Sequence, residues 1–258
     1  MSEVFVLYEG ITEKNLLEKL KKKQIIHYDT PIECKSKGFK REIINILKPL
    51  SGESETFDEE GDSIGIVMFH DMDSGKRIDD IKRSTEDAVN EALEIVKGDR
   101  LSFSESPKYP NVYFIRNESP AFNFVLHIAK RNHAKGLPSF ENCTTDDYIL
   151  DLAIRTRTIE GLREFQEAKK NNSLLTAREI QKKIVKEIPS ILEKNGIKLK
   201  EAKGFVNLYI AALQIGGEGS LRYRELPGKV VEHAQEEDVR EVLESWIAAF
   251  HMIKRDDS

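Results

Sequence analysis

Asp71 and Asp73 stand two residues apart, directly after the apolar run that ends at Phe69 and His70 and before Ser74 and Gly75. Side chains at i and i+2 of a strand share a face. Two carboxylates there repel, and a hard divalent cation with oxygen ligands is the usual way to hold them together. In open α/β sheets, ligands bind just beyond the carboxyl ends of strands. The plain alternative is a pair of solvated loop acids. The run from Val4 to Tyr8 ends the same way, in Glu9, and Gly10 then permits a tight turn. If both runs are central parallel strands, Glu9, Asp71 and Asp73 converge at one sheet edge. Glu13 either leans toward the same place or serves as a first-turn acid facing the helix dipole. Lys14 and Lys76 lie within a few residues of these carboxylates and are candidate phosphate contacts. His70 is expected to point to the face opposite Asp71, as a core or supporting histidine.

The elements that must position these residues follow from periodicity. Strands are expected at 4–8, 64–70 and 112–116, with a short one within 25–35. Helices are expected at 12–23, 38–48, 78–97 and 120–132. Thr12 suits the first helix as its cap, and Leu16, Leu17 and Leu20 form its apolar stripe. Alternating strands and helices predict a mostly parallel sheet flanked by helices. After residue 135 strand signals nearly vanish, and helical patterns appear at 145–170, 176–194, 198–214 and 236–254. The expected division is therefore an α/β domain over 1–135 and a helical extension over 136–258. The helices of the extension could also pack back on the same core.

With Glu9-Gly10 in a turn after the first strand and Asp71-x-Asp73 after a later one, residues 3–130 resemble the Toprim superfamily. That fold occurs in topoisomerases, bacterial primases, RNA-maturation nucleases and the overcoming-lysogenization-defect nucleases. The acid at Glu13 is most similar to nuclease-type and stand-alone members. The chain departs from the fuller pattern after Asp73, where Ser74, Gly75 and Lys76 bring no further acid, and at 112–120, where Glu118 is the lone acid. The resemblance implies a Rossmannoid sheet and a Mg²⁺ or Mn²⁺ site of Glu9, Asp71 and Asp73, with Glu13 serving a second ion. It also implies DNA or RNA as the polymer. Under this reading Glu9 is a metal ligand or a general acid/base. A second reading is a non-catalytic module that binds metal, nucleotide or protein, with a separate ATPase as an expected partner. A third is a phosphatase of the haloacid-dehalogenase type, with Asp71 as nucleophile and Asp73 as acid/base. Gly75 stands where that family carries Thr or Val, and the motif lies far from the first strand.

Bulk properties bound these readings. The 258 residues are 39% hydrophobic and 33% charged, with net charge −5, so any attraction for nucleic acid must come from local basic patches plus metal. No apolar run approaches a membrane span, and Met1 to Val4 do not open a signal peptide. Cys34 and Cys143 are far apart, which predicts free thiols and a cytoplasmic setting. The acidic stretch 51–63 reads as a solvated loop, and 215–220 as a Gly-rich loop rather than a phosphate loop. Asp146 and Asp147 read as first-turn acids behind a Thr144 cap, with a metal role the alternative. His127, His133 and Cys143 show no compact zinc spacing.

Overall fold

Runs that are apolar on both faces build the sheet, as the interior strands of parallel sheets require. The computed structural model describes residues 3–35, 38–50, 63–72, 76–95, 100–118, 121–131, 137, 140, 142–167, 175–214 and 222–253. The strands are β1 (Glu3–Tyr8), β2 (Thr30–Glu33), β3 (Ile64–His70), β4 (Ser104–Glu105), β5 (Val112–Glu118) and β6 (Ala121–Ile128). They form one six-stranded sheet in the order β2-β1-β3-β6-β5-β4. The β2-β1-β3-β6 part is parallel, while β5 pairs antiparallel with both β6 and β4. The fold is thus α/β with a mostly parallel sheet, flanking helices and a helical C-terminal part.

Contacts divide the chain into two units, and the division is discontinuous. The sheet unit comprises Met1–Gly10, Lys23–Ala129 and Ser245–Ser258, and the helical unit Ile11–Lys22 and Lys130–Glu244. A single cut at 135 differs from this at three places. The first helix, α1 (Ile11–Lys22), groups with the helical unit, the break falls after Ala129, and the C-terminal segment returns to the sheet unit.

In the sheet unit, α2 (Phe39–Leu47) and α3 (Ile78–Ala92) pack their apolar stripes on one face. Leu7, Ile66, Met68, Phe124 and Leu126 meet Ile43, Leu47, Ala88 and Val89 there. The C-terminal helix α11 (Glu244–His251) supplies aromatic rings for the side chains that alternate onto the other face. Trp246 stacks on Phe69 at 3.9 Å between centroids, and Phe250 lies 5.7 Å from Phe69. Asn123 donates to the Ile253 carbonyl at 3.1 Å.

The expected helix 120–132 is instead strand β6. Seven of its eight residues are buried, so it has no polar side for a surface helix to show. Glu118 pairs with Ala121, which leaves a two-residue connection of the hairpin kind. Two further helical stretches are broken. The stretch 145–170 becomes α4 (Thr145–Ala153) and α5 (Thr156–Glu167), and 236–254 becomes α10 (Glu236–Val242) and α11. The expected helix 78–97 ends at Ala92, with Glu94 at φ 54° closing it.

In the helical unit, α4 is buried almost all round, and α1, α8 (Ala202–Gln214), α9 (Leu226–His233) and α10 pack against it. Arg131 ties this unit together: its guanidinium donates to Asp151 at 2.7 Å and to the Val242 carbonyl at 2.6 Å. Residues 177–194 run as α6 (Ala177–Lys182), a π turn (Lys183–Glu187) and α7 (Ile188–Lys194). Among the described residues no helix is long and apolar enough to cross a membrane.

Candidate functional site

The chain leaves β1 for β2 on one side and reaches β3 on the other, so the β1/β3 boundary is where the strand order reverses. A crevice opens at such a point beyond the carboxyl ends of the strands. Glu9 follows β1 and Asp71 follows β3, and the register pairs Leu7 with Met68 just before those ends. Neighbouring strands lie about 4.8 Å apart, so the backbones that carry the two acids leave the sheet side by side.

His70 sits between them. Its Nδ1 lies 2.8 Å from the Asp71 carbonyl oxygen. A carbonyl only accepts, so Nδ1 carries the proton. Nε2 then faces Glu9, 3.7 Å from Oε1. Phe39 stacks on the imidazole at 5.4 Å and fixes its plane. Lys76, before α3, brings its ammonium to 4.0 Å from the same Glu9 oxygen. The Glu9 side chain is 25% exposed and that of Lys76 40%, so solvent reaches both. Met72 packs into the core and anchors the chain just past Asp71. Cys34, after β2, donates its backbone N–H to the Tyr8 carbonyl at 2.6 Å. Burial, reinforced by the charges of Glu42 and Glu9, pushes its thiol up to about 12. Cys34 therefore stays a protonated thiol rather than a nucleophile or thiolate ligand. Cys34 and Cys143 are not joined in a disulfide, as the sequence led us to expect, and both are buried.

Of the candidate residues, the structure brings Glu9 and Lys76 together and sets Asp71 on the adjoining strand end. Asp73 lies outside the described residues, as do His133 and the acidic stretch 51–62. Glu13 and Lys14 belong to the helical unit. Lys14 pairs with Glu18 at 3.9 Å on the surface of α1, a contact of little energetic weight. Glu13 is only 6% exposed and faces Asp146. Tyr223 donates its hydroxyl to Asp146 Oδ2, and the Lys203 ammonium lies 5.5 Å from the Tyr223 ring centre. Burial raises the Asp146 carboxyl above the usual range; the Tyr223 hydrogen bond opposes the rise and the Glu13 charge adds to it. Asp147 is the capping acid, accepting the Thr144 N–H at 2.8 Å.

In the sequence His70 reads as a core or supporting residue, with no connection to Glu9. Alternation along β3 puts His70 on the side opposite Asp71, and the Leu7–Met68 register makes that the side of Glu9. Among the described residues, no group of three or more His, Cys, Asp or Glu side chains is arranged to hold a metal ion. Glu9 and Asp71 are both hard oxygen donors at neighbouring strand ends, a donor set that suits Mg²⁺ or Mn²⁺ rather than a soft metal. The chain matches no family model, no curated protein and no solved structure.

Proposed function

We propose that the chain is a Mg²⁺- or Mn²⁺-dependent nuclease of the Toprim type, cleaving phosphodiester bonds at the carboxyl ends of β1 and β3. The observation that carries this reading is the placement of Glu9 and Asp71 on adjacent parallel strand ends at the point where strand order reverses. Glu9, Asp71 and Asp73 are the residues that would hold the ion. When bound, it would polarise a phosphoryl oxygen and make water a better nucleophile. The chain's own residues supply the rest. His70, fixed by the Asp71 carbonyl and by Phe39, stands beside the Glu9 carboxylate with Nε2 3.7 Å from Oε1. Lys76 offers a half-exposed ammonium to the non-bridging oxygens of a phosphate.

One observation favours the non-catalytic alternative. Glu9 already has the Lys76 ammonium at 4.0 Å, so a protein cation could serve as its counter-charge without any metal.

Labelled single- and double-stranded DNA and RNA, incubated with Mg²⁺ or Mn²⁺ and again with chelator, separate the two readings. Metal-dependent cutting that falls by about 100-fold or more in Asp71→Asn/Asp73→Asn and in Glu9→Gln is the expected result. Cutting that survives in both variants would refute the assignment. Absence of cutting by the wild type on all four polymers would leave the binding-module reading.

A further inference from the structure

The chain carries net charge −5, yet residues 177–200 hold seven basic and three acidic side chains, a local net of +4. Three of the ten are accounted for by ion pairs: Glu187 takes Lys182 at 2.9 Å and Lys183 at 3.3 Å. Glu179 caps its own helix through Thr176. Lys186, Lys194, Lys198 and Lys200 are exposed, and among the described residues none is ion-paired. Ile180 and Ile184 are buried and turn the other side of this stretch into the helical unit, whereas no residue of α7 is buried. The exposed apolar groups here are Ile191 and Ile197, at 59% and 53%.

The backbone holds this arm in a defined form. The π turn shifts the hydrogen bonding by one residue, so that the Ile188 N–H reaches the Lys183 carbonyl, just before Pro189, which has no N–H to give. At the other end Gly196 adopts φ +78°. Its N–H bonds the Glu193 carbonyl at 2.9 Å, and the Ile197 N–H bonds the Leu192 carbonyl at 2.9 Å. Those two bonds are the Schellman closure of a helix, and they set the direction in which Lys198 and Lys200 leave.

We infer that this arm, with Lys186, Lys194, Lys198 and Lys200, is a docking surface for the phosphodiester backbone of nucleic acid. The inference rests on the nuclease reading for the identity of its ligand and adds to it where the polymer is gripped. Charge complementarity selects the partner: a locally basic surface on an acidic protein attracts a polyanion at this place and repels it from most others. The stretch 177–200 contains no aromatic residue, so it offers no stacking platform for bases, and recognition is of the backbone and independent of sequence. The same absence disfavours a lipid surface, since interfacial helices seat bulky apolar and aromatic side chains among the acyl chains and this arm exposes Ile191 and Ile197.

The test is fluorescence anisotropy of the full chain with labelled duplex DNA, duplex RNA and each single strand, in chelator, across a salt series. The wild type is compared with Lys186→Gln/Lys194→Gln/Lys198→Gln/Lys200→Gln, whose fold is checked by circular dichroism, and with the matching Lys→Arg set. Wild-type affinity is expected to fall steeply with salt. The Gln set is expected to bind about tenfold or more weaker, with a log–log salt slope shallower by about 3–4, and the Arg set to bind like wild type. The four polymers show which nucleic acid is preferred. No binding of any polymer by the wild type overturns the inference, as does unchanged binding by the Gln set. Dependence of phosphatidylserine-vesicle binding, rather than polymer binding, on these lysines overturns it too. Cleavage is scored separately: lysine-dependent binding without Asp71-dependent cutting upholds the arm and defeats the nuclease reading, and the reverse result defeats the arm alone.

Discussion

His127 reports its own protonation state through its neighbours. Asn111 Nδ2 lies 3.0 Å from the Ile128 carbonyl, which only accepts, so the amide presents its NH₂ at that end. The same nitrogen lies 3.1 Å from His127 Nε2, which must therefore accept. Ser245 Oγ approaches that Nε2 at 2.9 Å. A proton on Nε2 would face the Asn111 amide hydrogens, and burial lowers the imidazole to about 3. The unfolded value is about 6.5. Between about 6.5 and about 3 the unfolded chain takes up a proton that the folded chain refuses, so this contribution to stability is complete above about 6.5 and is lost as pH falls. Urea unfolding at neutral pH and near pH 4.5 should show a smaller acid-induced loss in His127→Gln than in the wild type. Equal losses would show that His127 does not carry that pH dependence. The same residue-scale logic separates the acids of the chain. Glu9 meets the Lys76 ammonium within the sheet unit, whereas Glu13 meets another carboxylate, Asp146, within the helical unit. Sequence spacing alone could not tell these surroundings apart.

Strand β3 shows how one element is fitted to another. Gly65 lies where a Cβ would sit 2.5 Å from Ile253 Cγ2 and 3.4 Å from Val4 Cγ2. The constraint is close approach, since nothing about its backbone requires glycine. Gly65→Ala is expected to destabilise by about 1–3 kcal/mol through overpacking. Combining it with Ile253→Ala removes the atoms it collides with, so the double variant should be less destabilised than the two single effects added together. Additive losses in denaturant unfolding would show that the clash is relieved elsewhere. Strand β6 carries the larger lesson at this scale. Phe122, Phe124 and Val125 favour a strand, but the run of buried residues gave no alternation to read, and a buried run of eight fits a short helix equally well. Pairing with β3 on one side and β5 on the other settles the choice, because each supplies partners for its backbone groups.

At the scale of the whole molecule, the sheet unit is assembled from three separated pieces of chain. Trp246 and Phe250 cover Phe69, and the Ile253 carbonyl accepts from the buried Asn123. A fragment comprising residues 1–135 contains all six described strands yet lacks these groups. It would expose the Phe69 face and leave Asn123 without its partner, and an unmet buried amide costs about 1–3 kcal/mol. Such a fragment is expected to aggregate or to melt without a cooperative transition, while the full chain melts cooperatively. A fragment with native-like near-ultraviolet circular dichroism and a sharp transition would show that the return segment is dispensable. The features legible in the chain are those that depend on near neighbours. The apolar runs that become β1 and β3, the acids that follow them, the Thr144 cap and the change from alternating to all-helical texture are of this kind. Other features depend on residues far apart and emerge only in the folded chain. The pairing of β6, the return of α11 to the sheet and the meeting of His70 and Lys76 with Glu9 belong here. The reason is physical: helix periodicity and capping are satisfied within a few residues, whereas strand pairing and burial are satisfied by partners whose distance along the chain leaves no mark on local pattern.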